Sequence, residues 1–139
     1  MKQFVERINT KTEGQGLYEI TEAISKWLSK KPISEGLLTV YVEHTSASLL
    51  IQENADPRVL RDLNSFYKKI APEGENFYEH SSEGSDDMPA HIRASLMQTH
   101  LSIPVVEGKI GLGTWQGIFL FEHRNSAHSR RVRIHLIGE

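Results

Sequence analysis

The chain predicts an α+β fold, mainly an antiparallel β-sandwich of jelly-roll type carrying about three packed helices. Three observations lead there. About seven segments alternate apolar and polar residues at the period of a strand, against three with helical spacing. The helical segments do not alternate one-for-one with strands, which argues against a doubly wound parallel sheet. No internal repeat interrupts the pattern, and 139 residues suit a single domain over 1–139 with one core.

Residues 2–9 and 16–20 read as two strands joined by a turn at Glu13-Gly14-Gln15-Gly16. Thr21 is placed to cap a short helix, TEAISKWLSK, with Ile24, Trp27 and Leu28 on one face and Pro32 just beyond its end. GLLTVYVEH (36–44) is a strand in which Leu38, Val40, Val42 and His44 share a face. ASLLIQEN (47–54) is another strand. Asp56-Pro57 then starts a helix, with an acidic N-cap and proline at the first helical position. Its stripe of Val59, Leu60, Leu63, Phe66, Tyr67 and Ile70 ends before Pro72.

Residues 71–87 form a long polar loop, a length that points to function or mobility. A third helix is expected from about Met88 to Thr99, followed by a strand at 101–106 and a turn at Glu107-Gly108-Lys109. In the strand 114–123, Phe119, Phe121 and His123 share a face opposite Ile118, Leu120 and Glu122. The last strand, 130–138, turns Val132, Ile134 and Leu136 to one side.

Composition limits the function classes. Net charge is −2 and the pI about 6.4, so there is no broad basic footprint for nucleic acid. No run approaches membrane-spanning length and the start lacks an apolar leader segment, so the expected location is the cytoplasm. With no cysteines and seven histidines, a transition-metal site would have to use imidazole and carboxylate.

The densest chemistry lies in SEGSDDMPAHIRASL (82–96). With Asp87 as N-cap, Pro89 falls in the first turn, where its missing N–H costs nothing. His91 comes four residues later and leans back toward Asp86 and Asp87. Near a helix N-terminus the imidazole is kept neutral, the form a divalent metal requires. The plain alternative is a capped helix with a solvent-facing histidine. His44 and His123 end strands, His80 lies six residues before Asp86, and all four imidazoles are candidates to converge on one rim. Thr45 and Ser46 offer hydroxyls to a phosphate or carboxylate. HRNSAHSRR (123–131) carries Arg124 and Arg130 for an anion. Glu53 is a candidate ligand or base. GLGTWQG (111–117) has neither dinucleotide nor P-loop spacing, so its glycines are assigned to a bend beside Trp115. His135 is expected to face solvent, His100 to follow the third helix as a C-terminal cation, and His128 receives no role. Neither a G-x-S-x-G elbow nor H-E-x-x-H is present, which sets aside serine hydrolases and zincins.

EHTSASLLIQENADP (43–57), FYEHSSEGSDDMPAHIRASL (77–96), GLGTWQGIFLFEHR (111–124) and SRRVRIHLIGE (129–139) occur together and in order. With this set the chain resembles the YjbQ family across essentially its whole length. The resemblance implies a β-sandwich with packed helices, a homotrimer, a metal in a cleft near a subunit boundary, and weak thiamine-phosphate synthase activity. That reaction joins a pyrimidine diphosphate to a thiazole phosphate and releases pyrophosphate. The family's polar cluster falls on His44, Thr45, Ser46, Glu53, His80, Asp86, Asp87, His91, Arg93 and His123, and its GTWQ motif includes Trp115 and Gln116. The expected metal ligands are His44, His80, His91 and His123, with Glu53, Asp86, Asp87 and Arg93 in catalytic roles. Thr45, Ser46, Trp115, Gln116, Arg124 and Arg130 are expected to bind a small phosphorylated metabolite. Imidazole donors favour zinc, while a diphosphate substrate would also suit Mg²⁺. A non-catalytic metal- or phosphate-binding module and a structural metal at a trimer seam remain as alternatives.

Overall fold

A computed structural model describes residues 1–74 and 76–139. Among these residues the elements are β1 (Lys2–Glu13), β2 (Gly16–Glu19), α1 (Thr21–Leu28), β3 (Gly36–Val42), β4 (Ala47–Glu53), α2 (Pro57–Ile70), α3 (Asp87–Leu96), β5 (His100–Val106), β6 (Lys109–Ile110), β7 (Gln116–Glu122) and β8 (Ala127–Gly138). Two sheets form, in the orders β1-β8-β3-β5-β6 and β2-β7-β4. Every named pairing is antiparallel. The fold is therefore α+β and mostly β. No described helix is long and apolar enough to cross a membrane.

Strand alternation builds the core. Leu38, Val40 and Val42 of β3, Leu101, Ile103 and Val105 of β5, and Val132, Ile134 and Leu136 of β8 pack with Leu49 of β4 and with Ile118 and Leu120 of β7. Ile24 and Leu28 of α1 join the same cluster. The opposite side of β7 is covered too. Phe119, Phe121 and His123 are 2%, 1% and 0% exposed, and Tyr67 of α2 stands edge-on to Phe121 at 5.7 Å. The small sheet thus lies between the large sheet and the helical layer, which gives β7 two buried faces.

Several boundaries differ from the sequence expectation. β1 runs on to Glu13, because every residue finds a partner along β8, from Lys2 against Gly138 to Glu13 against Ala127. Glu107 and Gly108 both take left-handed φ (50° and 72°), and this tight turn lets Lys109 and Ile110 pair back as β6. Thr21 is inside α1 rather than capping it. Its hydroxyl accepts the Ile118 N–H at 2.8 Å and donates to Glu19 at 2.8 Å, and Ile20 is the N-cap. α3 stops at Leu96, and Gln98 instead accepts the Leu49 N–H at 2.7 Å. His100 accordingly opens β5. Asp56 does cap α2, accepting the Arg58 N–H at 2.9 Å. The α2 stripe is only half-covered, leaving Phe66 56% and Ile70 44% exposed.

Candidate metal centre

Asp86, rather than Asp87, holds the N-cap position of α3, and its side chain does not cap. Asp86 Oδ2 instead accepts from Arg124 Nε at 2.9 Å and from the Asn125 N–H at 2.8 Å. Arg124 Nη1 donates to Asp87 Oδ1 at 2.8 Å, and Nη2 donates to the Glu83 carbonyl at 2.8 Å. One guanidinium thereby binds the loop to the start of the helix. Burial on its own would raise the Asp87 carboxyl; hydrogen bonding to His80 and the charge of Arg124 outweigh it and hold it below the ordinary carboxylate range. Asp86 is held low against burial by its bonds to Arg124 and Asn125.

The remaining oxygen, Asp87 Oδ2, faces two histidines. His80 Nε2 lies 2.5 Å away and His91 Nε2 3.4 Å away. The His91 contact follows from helical spacing, since residues i and i+4 share a face. His91 Nδ1 lies 3.0 Å from the Thr45 carbonyl. A carbonyl only accepts, so Nδ1 carries a proton, and Nε2 is the ring atom that faces Asp87 and could bind a metal. This is the outer-shell arrangement that orients a metal-binding imidazole. The three ligand atoms lie within 4.8 Å of one another. Ligands around a tetrahedral zinc at about 2.0–2.1 Å sit roughly 3.3 Å apart; the His91 separation is close to that value, and the His80 contact is a short hydrogen bond. Side-chain exposure is 44% for His80, 31% for His91 and 3% for Asp87. The cluster is anchored on its carboxylate and open on its imidazoles, a donor set that fits a borderline divalent ion.

The other expected site residues have partners of their own. His44 is engaged by the Arg131 N–H at 2.8 Å and by Arg130. His123 is buried against Phe121, with Nε2 2.8 Å from Ser48 Oγ. Arg93 is 2% exposed and donates to the carbonyls of Tyr67 and Ala71 at the end of α2. Arg130 pairs with Glu122 through both Nε and Nη2, and Nη2 also donates to Ser46 Oγ at 2.9 Å. Thr45 touches the cluster through its backbone carbonyl. Glu53 is half-buried at the end of β4, and the Gln116 side chain accepts the Gly113 N–H at 2.8 Å. Trp115 is 63% exposed. The structure therefore brings together His80, Asp87 and His91, supported by Asp86, Arg124 and Thr45.

Sequence reasoning missed Glu122, which is fully buried and receives Thr12 Oγ1 at 2.6 Å as well as Arg130. A signal was available: Glu122 shares the inward phase of Ile118 and Leu120, where an acid requires a partner. It also missed Asn125, whose backbone N–H bonds Asp86, and Glu83, whose carbonyl accepts from Arg124 and whose carboxylate lies 3.3 Å from His80 Nε2.

A family model described as UPF0047 protein YjbQ-like matches residues 6–139. A UPF0047 protein from a Synechocystis strain is 49% identical over 138 residues, covering 99% of this chain and 94% of the relative. The UPF0047 protein YjbQ of Escherichia coli O157:H7 is 44% identical, covering 91% and 92%. Among solved structures, a YbjQ-like protein of unknown function from Sulfolobus solfataricus P2 superposes with a TM-score of 0.90 at 25% identity, over 99% of both chains. An uncharacterised YjbQ/UPF0047 protein from Clostridium acetobutylicum gives 0.86 at 35% identity, over 95% of this chain and 99% of the other. The chain belongs to the YjbQ/UPF0047 family.

Proposed function

We propose that this chain is a small metal-binding protein whose His80, Asp87 and His91 hold a divalent ion, zinc by its donor set, next to a site for a phosphorylated metabolite. The observation that carries the reading is the Thr45 carbonyl on His91 Nδ1, which orients the ring so that Nε2 faces the shared carboxylate, as a metal-binding imidazole requires. Three protein ligands leave a fourth position for water or a ligand oxygen. When bound, the ion would supply Lewis-acid stabilisation of a phosphate leaving group. Asp87 serves as ligand, and Asp86 and Arg124 position it. Arg93 acts at a distance by holding α2. Weak thiamine-phosphate synthase activity is the specific reaction proposed for the site. A homotrimer is proposed as the assembly, supported by Leu37, Tyr41, Val106 and Ile137 on the outer face of the large sheet, each more than a third exposed.

A second reading is favoured by Glu83, whose Oε2 lies 3.3 Å from His80 Nε2. As a fourth ligand it would close the coordination shell and make the protein a non-catalytic binding module. The test is to incubate zinc-loaded and magnesium-loaded protein with the pyrimidine diphosphate and the thiazole phosphate. Metal-dependent release of pyrophosphate with formation of thiamine phosphate supports the enzyme. Tight metal binding with no turnover, and no gain in Glu83→Gln, selects the binding module.

A further inference from the structure

Two N–H donors approach the imidazole of His44. The backbone N–H of Arg131 reaches Nε2 at 2.8 Å, just past the last β3–β8 rung, where the Glu43 N–H donates to the Arg131 carbonyl at 3.0 Å. The ring thus stands in for a ladder acceptor. On its other side Arg130 Nη1 lies 3.4 Å from Nδ1. A neutral imidazole has one ring nitrogen with a free lone pair, and an imidazolium has none. Only one of the two approaches is a hydrogen bond. The short contact belongs to Arg131, so the ring proton sits on Nδ1 and is turned toward the Arg130 guanidinium.

Arg130 is a fixed part of this arrangement. Its side chain is 4% exposed. Glu122 and Ser46 occupy Nε and Nη2. Among the described residues, Nη1 meets only the His44 ring. Buried donors of this kind are almost always matched by an acceptor. Access exists from the rim, since His44 is half-buried and Thr45 is exposed.

We propose that His44 Nδ1–H and Arg130 Nη1–H together form an anion subsite, which takes one oxygen of a phosphate or carboxylate group. An oxygen about 2.8 Å from each donor sits at the apex of a triangle on their 3.4 Å separation. Glu122 already neutralises Arg130, so the subsite is weak alone and acts as a second anchor for a larger ligand. It deepens the reading of the cleft as a metabolite site: Thr45 follows His44 directly, and its carbonyl fixes His91. His44 therefore binds ligand oxygen, not the metal.

The test uses the full chain, ¹⁵N-labelled and stripped of metal by a chelator, so that failure of the metal reading leaves it intact. Two-bond ¹⁵N–¹H spectra should show His44 protonated on Nδ1 and bare on Nε2. Inorganic phosphate, and acetate in a separate arm, should then shift the His44 Nδ1 and Arg130 signals saturably; the tighter arm names the ligand group. In His44→Gln the amide oxygen can accept from Arg131 while the amide N–H no longer occupies the ring Nδ1 position, and the better anion should weaken about tenfold. A His44 ring protonated on Nε2 would overturn the proposal without any ligand. So would signals unmoved by both anions, equal affinity in His44→Gln, or an equal response to chloride at matched ionic strength.

Discussion

Replacing His123 with leucine should flatten the acid side of the stability profile. The ring is wholly buried, 4.5 Å from the Phe121 ring centroid. Nε2 meets Ser48 Oγ, and Nδ1 has no partner among the described residues. Burial, reinforced by the nearby charge of Arg93, pushes its pKa down to about 3, against about 6.5 for a free imidazole. Between those values the unfolded chain binds a proton that the folded chain refuses. Stability from this residue is therefore complete above about pH 6.5 and is lost as the pH falls toward 3. Each pH unit in that window is worth at most about 1.4 kcal/mol, so moving from pH 8 to pH 5 should cost roughly 2 kcal/mol through His123 alone. Urea unfolding of the wild type and His123→Leu at both pH values measures this directly. Leucine is of similar volume, and loss of the Ser48 contact lowers stability at both pH values by about 1 kcal/mol. Protonation of His44, whose pKa is also lowered by burial, is common to both proteins and drops out of the comparison. Equal losses between pH 8 and pH 5 in the two proteins would refute the reasoning.

Other perturbations separate support from ligation. Arg124→Leu leaves the Asp86 and Asp87 carboxylates without their shared cation; it should destabilise the metal-free chain by roughly 2 kcal/mol, less than for a fully buried pair because the arginine keeps 17% exposure. Saturating zinc should restore much of that loss in a thermal melt, whereas no recovery would place Asp87 outside the metal shell. Glu122→Gln breaks a buried ion pair and should cost about 3–5 kcal/mol by urea unfolding, while Glu122→Leu combined with Arg130→Met should cost much less than the sum of the singles. Additive losses would show that the pair is not coupled. Light scattering should give a mass of three chains, and a lysine at Leu37 should lower it; a wild-type monomer would remove the proposed trimer.

Much of this architecture is legible in the alternation of residues. GLLTVYV turns Leu38, Val40 and Val42 inward as its pattern requires, and Asp56-Pro57 starts α2 as capping chemistry demands. Phase reports which residues share a face but not what covers it. His123 follows Phe119 and Phe121 to the same buried side of β7, where Ser48 Oγ is its partner. Two of the three residues of the candidate cluster are readable, because Asp87 and His91 are fixed by one turn of helix. His80 was placed near them only by proximity in sequence, since a polar loop carries no period. The partners of the arginines are less legible. Arg93 donates to α2 carbonyls, and Arg130 pairs through Nε and Nη2 with Glu122. Those partners are set by tertiary packing, which local patterns do not encode.

The most direct test of the central claim is a zinc competition titration against a chromophoric chelator at pH 7.5, using wild type and His80→Ala, Asp87→Asn and His91→Ala. The account predicts one zinc per chain in the wild type and at least a tenfold loss of affinity in each variant, with the fold retained. A wild type that binds no zinc, or variants that bind it as tightly as wild type, would contradict the assignment of His80, Asp87 and His91 as a metal centre.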